Sequence, residues 1–290
     1  VLTGGQQGID LTTKILCNEH DTIICEDPTF IGALNAFRTY NVNLCGVPVD
    51  NDGINIEALE KALQTQKNVK MLYLIPTFQN PMGVCMSAEK RKAVYELAKK
   101  YGVIILEDNP YGELRFAGED IPTIKSLDTD GIVVYCGSFS KILSPGMRVG
   151  FVSAPNEIAA KLVVAKQVTD VHTNLLFQMI VSEYLDRYDL DKHIEGIRAL
   201  YKSKNEAMRK AIAKYMPENV KATNPEGGIF LWIDLPDGID SQPFSSRLVS
   251  EKKVAVVPGT AFNCDTEALS DSFRLNYSTP SDEQIIEGVK

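Results

Sequence analysis

From Thr22 to Ser153, short runs of β-branched and other apolar residues alternate with segments whose apolar residues recur at helical spacing. Thr22–Cys25, Asn43–Val47, Met71–Ile75, Val103–Leu106, Ile132–Cys136 and Gly150–Val152 read as strands, with helices over Phe30–Tyr40, Ile56–Leu63 and Ala88–Tyr101 between them. Such alternation predicts a largely parallel sheet covered by helices on both faces, binding its ligands beyond the carboxyl ends of the strands. Functional residues are therefore sought just after each strand. Past Pro155 the pattern turns helical, and Ile194, Ile197, Tyr201, Met208, Ile212 and Tyr215 mark one apolar stripe, read as the packing face of a long helix. Strand patterns follow at Gly227–Leu235, Val254–Val257 and Phe273–Tyr277, with helices at Gln242–Glu251 and Asp282–Val289. The expectation is an α/β protein: a large domain over residues 1–190, then a smaller α+β domain over 191–290, entered through the long helix.

Composition narrows the class. At 290 residues, 44% hydrophobic and 23% charged, the chain is long enough for two cores and too ordinary for disorder or a coiled coil. No apolar run approaches the roughly 18 residues of a membrane span, so no membrane partner is expected. A formal net charge of −8 disfavours a nucleic-acid partner, and any anion site must be local. The six cysteines (17, 25, 45, 85, 136 and 264) form no C-x-x-C, and the three histidines show no metal-ligand spacing. The chain reads as a cytoplasmic protein with reduced, buried thiols and no metal. It opens on Val1 inside patterned sequence, which reads as a piece of a longer protein.

Candidate chemistry concentrates where it is sought. After Ile132–Cys136 come Gly137-Ser138-Phe139-Ser140-Lys141 and, beyond a Pro-Gly turn, Arg148. Two hydroxyls, an amine and a guanidinium suit a site that holds a phosphate beside a nucleophile, and a neighbouring cation such as Arg148 favours the neutral amine. The strand Val103–Leu106 runs into Glu107 and Asp108, with Tyr111 three residues on. By strand alternation Glu107 faces away from Asp108, and Asp108 taken alone could be a helix cap. Asn80-Pro81-Met82-Gly83 follows another strand as a turn. Thr3-Gly4-Gly5-Gln6-Gln7 is a glycine turn opening a helix, whose free amides attract anions. Phe30 follows Thr22–Cys25 and would otherwise be a core residue. Arg274, among apolar neighbours, needs a carboxylate, from a ligand or from its own chain. Lys90-Arg91-Lys92 and Lys252-Lys253 read as solvated faces.

Together these stretches resemble the fold-type I pyridoxal-phosphate enzymes, specifically the class I/II aminotransferases of the aspartate aminotransferase-like fold. The motifs occur in family order from Gly5 to Arg274. The resemblance implies that Lys141 of S-x-S-K forms the Schiff base with the cofactor, with Ser138, Ser140, Arg148 and the amides of Gly5 and Gln6 at its phosphate. Asp108 is matched to the carboxylate at the ring nitrogen, Tyr111 and Asn80 to the groups at the phenolic oxygen, and Phe30 to the stacking aromatic, usually tyrosine. Arg274 is matched to the arginine that grips the substrate α-carboxylate. Ser138 to Lys141 also spells the S-x-x-K box of β-lactamases, but the S-D-N and K-T-G partners are missing.

The implied function is ping-pong transfer of an amino group from an L-amino acid to a 2-oxo acid, in a homodimer. The spellings Pro28–Ala33 and Gly137–Lys141 resemble most the subgroup acting on 2-aminoadipate, kynurenine, aromatic or branched-chain amino acids. Two alternatives share the motifs: the cofactor-sensing domain of a winged-helix transcription regulator, and another reaction on the same scaffold, such as β-elimination or decarboxylation.

Overall fold

A computed structural model describes all 290 residues. In the first half, strands alternate with helices that bury one face, and the central strands are buried on both of theirs. The order is α1 (Gly5–Leu16), β1 (Thr22–Asp27), α2 (Ile31–Arg38), β2 (Asn43–Asp50), β3 (Gly53–Ile54), α3 (Ile56–Thr65), β4 (Val69–Leu74), α4 (Ala88–Tyr101), β5 (Ile104–Asn109), β6 (Val133–Ser138) and β7 (Gly150–Ser153). These seven strands form one sheet in the order β3-β2-β1-β4-β5-β6-β7. It is parallel from β2 to β6, with β3 and β7 antiparallel at its edges.

Strand alternation sorts the core into two layers. Ile23, Met71, Tyr73, Leu106 and Cys136 point to one side, where α1 and α2 cover them with Ile9, Leu34 and Phe37. Ile24, Leu72, Ile105 and Val133 point to the other, under Leu59 and Leu63 of α3 and Val94 and Ala98 of α4. Helix α4 begins where Ser87 accepts the Lys90 amide and ends at Gly102, whose φ of 67° is left-handed. Its Arg91 corrects the reading of Lys90-Arg91-Lys92 as a solvated face. Only 1% exposed, Arg91 donates to the carbonyls of Met86, Pro76, Ile121 and Pro122 and to Thr77 Oγ1.

The second half adds α5 (Asn156–Asp170), α6 (Leu175–Arg187), α7 (Leu190–Tyr215), β8 (Lys221–Ala222), β9 (Phe230–Asp234), α8 (Ser241–Arg247), β10 (Val257–Pro258), β11 (Ser272–Asn276) and α9 (Asp282–Val289). A second sheet, β10-β11-β9-β8, is antiparallel. Helix α7 touches both cores, placing Ile194 in the first and Met208 and Ile212 in that of the second sheet. Three expectations need correction here. Tyr215 is exposed, because the stripe has turned off the core by the last helical turn. Val254–Val257 yields only Val257–Pro258 as strand, since only these residues meet β11. Gln242–Glu251 divides into α8 and a single π-helical turn, Leu248–Lys252. The cysteines are all unpaired, but Cys45, Cys85 and Cys264 are only half-buried.

Candidate active site

The first sheet ends in four loops that carry the chemistry. At the end of β5, Asp108 is buried on the α1/α2 face, and Tyr73 Oη donates to its Oδ2 at 2.8 Å. Burial pushes the carboxyl up to about 7, against the pull of the Tyr73 bond. Glu107 faces the other layer, where it accepts the amides of Ile124 and Lys125. Tyr111, just beyond, packs edge-on against Phe230 at 5.7 Å, and burial raises its phenol.

The loop after β4 is shaped by Gln79, which sequence reasoning passed over. Its Nε2 donates to Pro28 O at 2.7 Å and its Oε1 accepts the Met82 amide at 2.9 Å, tying the loops after β1 and β4 together. This holds Asn80 buried, with its Oδ1 accepting from Arg274 Nη1 at 2.7 Å. Arg274 reaches the loop from β11, with its guanidinium carbon 4.1 Å from the Phe230 ring centre and 5.0 Å from that of Phe262. No carboxylate of the chain pairs with it, and its buried Nε has no partner. The structural salt bridge open at the level of sequence is therefore not made.

After β6, Ser138 Oγ accepts the Ser140 amide at 3.2 Å and donates to Ser140 Oγ at 3.0 Å. Ser140 Oγ accepts in turn from Arg148 Nη1 at 3.4 Å. Arg148 stands in a left-handed conformation, φ 52°, and lies across Gly4 so closely that a Cβ there would meet its Nη2 at 2.3 Å. Gly4 itself has φ 78° and opens α1 without a side-chain cap. The amides of Gly5 and Gln6 precede the first intrahelical bond. A Cβ on Gly5 would lie 3.8 Å from Ser138 Cβ and 4.0 Å from Asp108 Oδ1, so α1 points its amino end at these residues. The Gln6 side chain turns away to Gly32 O.

Lys141 is half-buried with its Nζ free of hydrogen bonds. Its ammonium is disfavoured first by desolvation, then by Arg274, then by Arg148. The sequence pointed to Arg148 alone; the larger cationic influence comes from the second sheet. Phe30 opens α2 and folds its ring back over Gly32, where a Cβ would meet Cζ at 2.3 Å. The fold thus brings Gly5, Asp108, Ser138, Ser140 and Arg148 into one chain of neighbours, and Asn80, Tyr111 and Arg274 into another, joined through Phe230. Phe30 packs against the core of the first sheet beside Gly32 and makes no polar side-chain contact with either.

Residues 1–290 match the family model of the class I and II aminotransferases. The chain is 44% identical over 292 residues to aromatic-amino-acid aminotransferase 1 of Thermococcus litoralis, covering 99% of this chain and 70% of the relative. It is 37% identical over 293 residues to a 2-aminoadipate transaminase of Thermus thermophilus, covering 100% and 73%. The solved structure of Pyrococcus horikoshii kynurenine aminotransferase, in complex with PMP, superposes with a TM-score of 0.96 at 43% identity, covering 99% of this chain and 72% of that one. This chain belongs to the class I and II aminotransferases, the pyridoxal-phosphate-dependent transaminases of fold type I.

Proposed function

We propose that the cleft described above transfers an amino group from an aromatic, kynurenine-like or 2-aminoadipate-like L-amino acid to a 2-oxo acid, with Lys141 as the amine that bonds the cofactor. The residues present fit pyridoxal phosphate. They offer a buried carboxyl with one oxygen free of hydrogen bonds, an amine free of partners, a Ser-Ser-Arg cradle at a helix amino terminus, and a guanidinium that no carboxylate pairs. When bound, the cofactor supplies an aldehyde for that amine and a protonated ring that accepts electrons from the substrate.

Each protein group has its own task in this reading. Desolvation and the two arginines favour neutral Lys141, the form that would bond the cofactor aldehyde and that, as a free amine, would take a proton from the substrate α-carbon and return it. Asp108 holds the proton on the ring nitrogen. Ser138, Ser140, Arg148 and the amides of Gly5 and Gln6 hold the phosphate, where the positive end of α1 adds to the charge of Arg148. Asn80, whose Oδ1 is committed to Arg274, has its amide hydrogens left for the phenolic oxygen, together with Tyr111. Phe30 would stack on the cofactor ring without the hydroxyl that tyrosine would bring. Arg274 grips the substrate carboxylate in the fork left open by its free Nε.

The observation that carries the reading is Arg274. A guanidinium held between two rings, with a neutral amide as its one partner, is a costly arrangement unless a carboxylate arrives. Borohydride treatment of the cofactor-loaded protein, followed by peptide mapping, should label Lys141 and no other lysine. A label elsewhere, or none, would overturn the assignment. Loss of the amino-acid-induced absorbance change in K141A would support it.

The same proposal extends to assembly and location. Val163, Val164, Val168, Leu175, Leu176 and Met179 expose their side chains along α5 and α6, with Val168 72% exposed. So large an apolar surface supports a homodimer. Six unpaired thiols support a cytoplasmic location. A division into domains 1–190 and 191–290 is supported by α7, which starts at Leu190 and bridges the two cores.

A further inference from the structure

Beneath Asp108 lies a residue without a task so far. Tyr73 on β4 is fully buried, with its ring set edge-on against Phe37 at 5.3 Å and 76°. Strand register puts it there: β4 and β5 run parallel with Tyr73 opposite Leu106, and Asp108 comes two residues later on the same face. Its Oη reaches Asp108 Oδ2 at 2.8 Å, while Asp108 Oδ1 lies on the side of Gly5 and the amino end of α1.

We propose that Tyr73 is a positioning residue for Asp108, occupying Oδ2 from below so that Oδ1 is presented to the cofactor ring. This rests on the reading of Asp108 given above. Tyr73 can hold one orientation because Phe37 blocks its ring and no water reaches it. The other titratable groups around the carboxyl are Glu26 from β1, Cys136 from β6 and Tyr111 beyond β5. None of them hydrogen-bonds it; the Tyr73 hydroxyl makes the one bond the carboxyl has. Burial favours the neutral acid, and that bond is what opposes it. Tyr73 therefore fixes the direction of Asp108 and offsets part of the effect of burial on its charge.

The test is a titration of the full chain without cofactor, labelled with 13C-aspartate. The Asp108 carboxyl signal is identified by its absence from D108N. In Y73F its midpoint should rise by about 1–2 pH units, the effect of removing one hydrogen bond from a buried carboxylate. In a chain with 3-fluorotyrosine at position 73, a more acidic donor of nearly the same shape, the midpoint should fall. Opposite shifts support the proposal. A midpoint that stays in place, or moves the same way in both chains, overturns it. Should Y73F fail to fold, the fluorinated chain decides alone. Borohydride labelling separates the two layers of inference: an unshifted midpoint with Lys141 labelled removes only the role of Tyr73, whereas an unlabelled Lys141 in the unsubstituted chain removes the reading beneath it.

Discussion

Replacing Arg274 with alanine removes the one cation that enters the cleft from β11. The side chain is held by rings at 4.1 and 5.0 Å and by Asn80 Oδ1 at 2.7 Å, and no protein carboxylate is left unpaired when it goes. The cost to folding is therefore modest, about 1–3 kcal/mol for a stranded buried amide and lost ring contacts. The cost to substrate should be larger. Removing one partner of a desolvated, hydrogen-bonded charge pair costs about 2–5 kcal/mol. At about 1.4 kcal/mol per tenfold, kcat/KM falls about 30-fold to several thousand-fold. R274K keeps the charge but loses the fork, and should fall between the two. The assay is single-turnover cofactor absorbance with an amino acid the protein accepts and with the matching amine that lacks the carboxylate. The reasoning predicts that R274A slows the amino acid far more than the amine, whose smaller loss reflects only the cation removed from beside Lys141. An equal loss with both compounds would show that Arg274 shapes the cleft without gripping a carboxylate.

The remaining predictions concern the scaffold. Burial pushes Asp108 and Glu26 up to about 7 in the cofactor-free chain, so folded protein holds protons that unfolded protein releases above about pH 4. Their contribution to stability is complete below the ordinary carboxylate values and is lost as pH rises to about 7. Urea midpoints should therefore drop from about pH 5 to about pH 8, by on the order of a few kcal/mol, and E26Q should flatten the slope. A slope unchanged in E26Q would refute this. R91A takes the guanidinium donors away from four carbonyls and a hydroxyl, of which Pro76 O alone keeps a second partner in the Met86 amide, and should lower stability by about 3 kcal/mol, measured as a lower urea midpoint at constant m; R91K should not restore it. If α5 and α6 form a dimer face, V164E/V168E should sediment at half the mass of the parent. An unchanged mass would move the interface elsewhere.

The alternation of short apolar runs with helical patterns was enough to determine a parallel sheet and to direct attention to the strand ends, because both periodicities are local properties of the chain. Ala88–Tyr101 could be read to the residue, since Ser87 and Gly102 mark its ends chemically. Lys141, Asp108 and Asn80 stood out for a similar reason: their motifs lie within single loops. Arg91 could not be read this way. In a Lys-Arg-Lys run it looks solvated, and only the passage of Ile121 and Pro122 over α4 makes it a buried clamp. Tyr73 looks like any strand aromatic until the register of β4 against β5 sets it under Asp108. Arg274 and Asn80 are 194 positions apart, and only the packing of the second sheet against the first makes them partners. What the sequence determined alone was periodicity and local motif; burial, register and the pairing of distant charges were decided by tertiary structure, because desolvation and hydrogen bonding depend on segments that no local pattern specifies.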